Sequence, residues 1–152
     1  MALPNIFTEV VSEGIIQRIN RLTPTAQPQW GTMDVAKMLA HCCVTYEFVY
    51  ENKHPKPNFL KRWLITLFVK STVTNEVPYK PSERTAPEFI MTGSYVFEAE
   101  RARLIGYIQR TQALGEAHFE GKESHSFGTL RAIEWNNMFY KHLDHHLRQF
   151  GV

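Results

Sequence analysis

The C-terminal stretch "KHLDHHLRQF" places three of the chain's seven histidines, His142, His145 and His146, within five residues. Imidazole is a hydrogen-bonding group, a proton carrier near neutral pH and a metal ligand. Helical phase separates the three. At about 100° per residue, Met138 and Phe139 fall within roughly 60° of Trp135 and form an apolar seam. The same face continues through His142, His146 and Gln149. His145 lies about 80° off its centre, and Asp144 lies on the opposite side. An unpartnered polar group in a core costs roughly 1–3 kcal/mol, so His142 and His146 need partners. At i, i+4 they stack about 5–6 Å apart at the β-carbons, and two neutral imidazoles so placed can grip one metal ion. Two separately hydrogen-bonded core histidines, or a slightly rotated helix that leaves them wet, are the competing readings.

A third ligand has to come from a facing helix. His41 is the only histidine inside another expected helix. It sits about 120° from the centre of that helix's apolar seam, in a stripe with Asp34, Thr45 and Phe48. Alone it reads as a boundary residue; beside the HxxxH pair it reads as the third ligand. Three histidines from two helices leave coordination positions open, as in catalytic rather than structural sites. A metal there would act as a Lewis acid or lower the pKa of a bound water or thiol. Imidazole suits zinc, nickel, copper or iron. His118 and His125 read as exposed loop residues. Glu51 and His54 have the ExxH spacing of a di-iron helix, but such a site needs two copies and further glutamates. The chain has no HExxH, phosphate loop or nucleophile elbow.

These residues must be positioned by helices. Phe7, Val11, Ile15, Ile19 and Leu22 give a first helix from about Thr8 to Leu22. "TPTAQPQWG" ends it. A second helix runs to about Glu51, with Thr32 as expected N-cap and Asp34 in its first turn. Asn58 caps a shorter third helix to about Ser71, whose "FLKRWLITLFVK" reads as buried or half-buried. "TVTNEVPYKPSERTAPEFIMTG" is a long irregular connection of the kind that is functional or wraps a core. Ser94 caps a fourth helix with Phe97, Leu104, Tyr107 and Ile108 inward. "GEAHFEGKESHSFGTL" reads as loop. The last helix spans about Ala132 to Phe150, with Gly151 as a left-handed cap. The expectation is an all-α, single-domain protein over residues 1–152. Its core is a four-helix bundle with one additional short helix.

Bulk properties limit the partners. A chain of 152 residues needs no disulfide or metal merely to fold. The net charge of +2, without long Lys/Arg runs, argues against nucleic acid. Adjacent Cys42 and Cys43 suit neither a zinc knuckle nor a disulfide framework and read as small buried side chains in a reducing compartment. The start "MALPNIFTEVV" lacks the features of a signal peptide, and "FLKRWLITLFVK" is too short to cross a bilayer. The expectation is therefore cytoplasmic, without a membrane partner.

"WGTMDVAKMLAHC" (Trp30 to Cys42) and "EWNNMFYKHLDHHLRQFGV" (Glu134 to Val152) together resemble the DinB-like, or YfiT-like, metalloenzymes, within a branch of unknown function. The likeness covers nearly the whole chain. It implies a four-helix bundle, often a homodimer, holding a divalent metal such as nickel, zinc or iron through His41, His142 and His146. It also implies a small-molecule substrate and a low-molecular-weight thiol, because characterised relatives include thiol-dependent transferases. One departure is at the last helix, where Arg131 follows Leu130 and the usual capping box is missing, although Glu134 remains. Two other functions stay open. One is a non-catalytic helical binding or interaction protein whose histidines bond one another. The other is a haem bundle, which a third nearby histidine would crowd.

Overall fold

The computed structural model describes residues 2–83 and 85–152, and these are mostly helical. The helices are α1 (Glu9–Asn20), α2 (Val35–Tyr50), α3 (Phe59–Phe68), α4 (Lys70–Thr74), α5 (Phe97–Leu114), α6 (Glu116–Phe119) and α7 (Ala132–Gln149). Among the described residues of the long connection, a 3-10 turn is formed by Pro87–Phe89. The chain is all-α in class; a small sheet among the described residues pairs β1 (Lys122–Ser124) with β2 (Gly128–Leu130) in antiparallel register, Lys122 opposite Leu130.

α2 packs against both α5 and α7, and α1 packs against the same two. α2 is buried almost all round from Val35 to Glu47, with the neighbouring cysteines Cys42 and Cys43 inside. A helix buried on every side has no exposed flank. That is why His41, 120° from the expected seam, is nonetheless buried. The core gathers Ile15 and Ile19 of α1, Leu39 and Tyr46 of α2, Leu104 and Ile108 of α5, and Trp135, Phe139, Leu143 and Leu147 of α7.

The ends of α7 are fixed by local chemistry. Glu134 accepts a hydrogen bond from the Arg131 backbone N–H at 2.9 Å, so half of a capping box survives. A guanidinium has no acceptor for the other half. At the far end Gly151 takes φ 76, and the Val152 N–H reaches back to the Leu147 carbonyl. A Cβ on Gly151 would lie 2.9 Å from the Gln29 amide, so the glycine also permits a close approach. The Gln29 N–H donates to the Gln149 carbonyl at 2.7 Å, which pins the proline-rich segment before α2 to the end of α7.

Four local expectations are corrected. α2 is capped by Asp34, not Thr32: the Asp34 carboxylate accepts from the Lys37 N–H at 2.8 Å, and its charge complements the helix dipole. α5 begins after Val96 without a side-chain cap, because burying Phe97 sets the start rather than Ser94. The expected third helix is α3 and α4, broken at Val69, and no residue of α3 is buried. The segment read as loop holds α6 and the hairpin. Its strands of three residues are too short to show an alternating pattern. Gly128, at φ 74, closes their three-residue turn.

Candidate metal centre

The three histidines meet where α2 faces α7. Their ring centroids form a triangle with sides of 4.5 Å (His41 to His146), 4.8 Å (His142 to His146) and 5.0 Å (His41 to His142). One nitrogen from each lies within 4.8 Å of the other two, a group that could hold a metal ion. His41 and His146 are buried, and His142 is half-buried at the inner end of a cavity.

Each ring is anchored by its outward nitrogen. His41 Nδ1 lies 2.9 Å from the Phe89 carbonyl, which can only accept, so His41 carries its proton on Nδ1. Gln149 donates through Nε2 to the Trp30 carbonyl at 2.8 Å, which turns its Oε1 toward His146 Nδ1 at 2.8 Å. His146 therefore also carries its proton on Nδ1. His142 Nδ1 lies 3.1 Å from the Thr45 hydroxyl, which can donate or accept. Protons held on the outer nitrogens of His41 and His146 leave their Nε2 lone pairs free. This is the outer-shell support that metal-ligating histidines have.

A metal site requires neutral imidazoles. Burial is the main cause that lowers all three: His146 is pushed down to about 3, with His41 adding to the effect. His142 is held well below its ordinary value by burial and then by its two neighbours. His41 is lowered by burial, partly offset by the Phe89 carbonyl. The facing His41 and His142 Nε2 atoms are 3.0 Å apart. About 2.0–2.1 Å from nitrogen to metal puts two adjacent ligand nitrogens roughly 3 Å apart, so the His41–His142 pair has the spacing of two ligands, and all three rings favour the neutral form a metal needs.

A cavity of about 800 Å³ opens onto the three rings. Phe48, Phe89 and Trp30 form walls near the histidines, and Lys61, Ile65 and Val69 line the α3 side. Volumes of about 300–1,000 Å³ are those of small-molecule sites. His145 is on the flank, 5.0 Å from the His146 ring and between Trp30 and Tyr79, so it touches the cavity but stands outside the triangle.

The remaining histidines separate clearly. His54 pairs with buried Glu47 at 2.8 Å, not with Glu51, so the ExxH spacing builds no site. Glu47 also binds Arg103, and Glu51 binds Tyr107. His118 contacts Lys122 at 3.2 Å. His125, read as an exposed loop residue, instead stacks on Phe48 with ring centroids 4.4 Å apart and lines the cavity. Thr45 and Gln149 lay on the relevant faces in the sequence without an assigned role. The Phe89 carbonyl left no sequence signal, because it is backbone supplied by the irregular connection.

Comparison with family models, curated proteins and solved structures finds no match for this chain.

Proposed function

We propose that the protein is a mononuclear divalent-metal protein of the DinB-like type, with α1, α2, α5 and α7 as its four-helix bundle and His41, His142 and His146 as ligands. The observation that carries the reading is the anchoring of His41 and His146 by carbonyl groups, which turns both Nε2 lone pairs toward His142. Nickel, zinc and iron all suit such a donor set. When bound, the metal supplies Lewis acidity and lowers the pKa of a water or low-molecular-weight thiol in an open position. Phe89, Gln149 and Thr45 hold the ligand rings. Phe48 and Trp30 give the cavity apolar walls that exclude water from a small-molecule substrate. The reaction this supports is metal-dependent thiol transfer or hydrolysis.

One observation favours a second reading, a metal-free binding protein. The 3.0 Å contact between His41 and His142 can be a hydrogen bond, with the proton on His142 Nε2 and the Thr45 hydroxyl donating to Nδ1. Elemental analysis after purification without chelator separates the two. The metalloprotein reading expects near-stoichiometric metal in the native chain and none in His142→Ala; a metal-free native chain that ignores added Zn²⁺ and Ni²⁺ contradicts it.

A further inference from the structure

α3 has two faces and neither belongs to the core. Advancing about 100° per residue, Phe59, Leu60, Trp63, Leu64, Leu67 and Phe68 occupy one continuous half of its circumference. All six are exposed, Phe59 by 86%, Phe68 by 71% and Trp63 by 54%. The opposite side, Lys61 and Ile65, lines the cavity over the histidines. α3 packs chiefly on short α4. It is thus a thin wall between the cavity and solvent, with an apolar outer surface.

Charge says what covers that surface. Residues 52–75 contain five basic side chains (Lys53, Lys56, Lys61, Arg62 and Lys70) and no acidic one. The whole chain carries only +2, so the remainder is net negative. A second copy docking this face on itself would bring two such basic patches together. An anionic lipid surface would complement them. A helix with aromatic and leucine side chains on one face and Lys/Arg beside it lies in a membrane interface. Lys53, Lys61, Arg62 and Lys70 already pair with Glu51, Glu88, Glu123 and Glu134. Surface pairs of this kind contribute only about 0–1 kcal/mol, so lipid phosphates can compete for the same cations.

We infer that α3 docks the protein on an anionic lipid surface and that the cavity behind it receives lipophilic molecules from there. The sequence excluded a membrane because the stretch is too short to span one; lying on a surface requires no such length. The docking claim is independent of the metal, whereas the use of those molecules as substrates rests on the proposed function.

Chelator-treated full-length protein tests docking with vesicles of phosphatidylglycerol and phosphatidylcholine, and of phosphatidylcholine alone. The expected result is sedimentation with the anionic vesicles at low salt, release at high salt as charge is screened, and a blue shift of Trp63 emission absent in Trp63→Phe. The double variant Leu60→Glu/Leu67→Glu, changed only at exposed positions, should keep its melting temperature and metal affinity but stay in the supernatant. Equal sedimentation of native and double variant overturns docking. So does a concentration-dependent dimer, abolished by the same variant, with no vesicle binding. A fluorescent long-chain fatty acid should bind vesicle-free protein and weaken roughly tenfold in Ile65→Glu, which places a charge on the cavity wall. Vesicle docking without probe binding overturns the cavity claim alone, and loss of metal binding in every variant and the native chain overturns the proposed function instead.

Discussion

The Nε2 atoms of His41 on α2 and His142 on α7 face each other at 3.0 Å, each ring held from behind by a group that is not histidine. Two lone pairs cannot stay at that distance unshared. A proton or a metal must lie between them, and a nitrogen of the third ring, His146, lies within 4.8 Å of both rings' nitrogens.

Removing one ligand should therefore remove the site. His142→Ala and His146→Ala are each expected to abolish measurable Zn²⁺ or Ni²⁺ binding by isothermal titration. His145→Ala, outside the triangle, should change affinity by no more than a few-fold. A large loss in His145→Ala would show that the flank residue, not the seam, supplies a ligand.

Gln149 acts through His146. Its amide is fixed by the Trp30 carbonyl and accepts from His146 Nδ1. Gln149→Leu should keep the fold and weaken metal binding by about 10–100-fold, the range for losing an outer-shell partner. Titration calorimetry on folded protein, with circular dichroism as the control, measures this.

His142 and His146 stand out in the sequence because α7 has one buried face, where helical phase is informative. His41 reads as a boundary residue only if α2, too, buries a single seam. α2 is buried on almost all sides, which no periodicity within α2 reveals. The three clustered histidines are legible in the sequence; what orients them is only partly so. Thr45 and Gln149 are on the right faces, but the Phe89 carbonyl arrives from an irregular segment whose path no local pattern encodes. The exposure of α3 is hidden from the sequence for a related reason. Its amphipathic sequence says that one face is apolar, not that a neighbour covers it.

Metal should stabilise the fold. Binding only to the native state contributes RT ln(1 + [L]/Kd), about 2.7 kcal/mol at a hundredfold excess over Kd. For a chain of this size that is a rise of roughly 5–11 °C in Tm. Differential scanning calorimetry with Zn²⁺ or Ni²⁺ should show it in native protein and not in His142→Ala.

The metal-free protein should be acid-sensitive through the same residues. His146 is neutral when folded, with its pKa lowered from 6.5 to about 3 by burial and then by His41. Between those values the unfolded chain binds more protons than the folded one, so stability falls as pH falls. The contribution is intact above 6.5 and lost progressively toward 3. At two pH units below 6.5, His146 alone accounts for on the order of 2–3 kcal/mol. Urea melts of native protein and His146→Gln across that window should show a shallower slope in the variant.

Glu47 tests the other buried charge cluster. It is buried with partners His54 and Arg103, whose hydrogen bonds outweigh the burial that would raise its pKa. Glu47→Ala should destabilise by on the order of 3 kcal/mol, because it leaves a partly buried guanidinium short of a partner. Metal affinity should be little changed, since Glu47 touches none of the three ligands.

The most direct test is X-ray absorption at the metal edge of protein loaded with one equivalent of Zn²⁺ or Ni²⁺. The proposed site predicts three imidazole nitrogens at about 2.0–2.1 Å, and no specifically bound metal in His41→Ala. A metal bound by one imidazole or by cysteine sulfur, or a spectrum unchanged in His41→Ala, would contradict it.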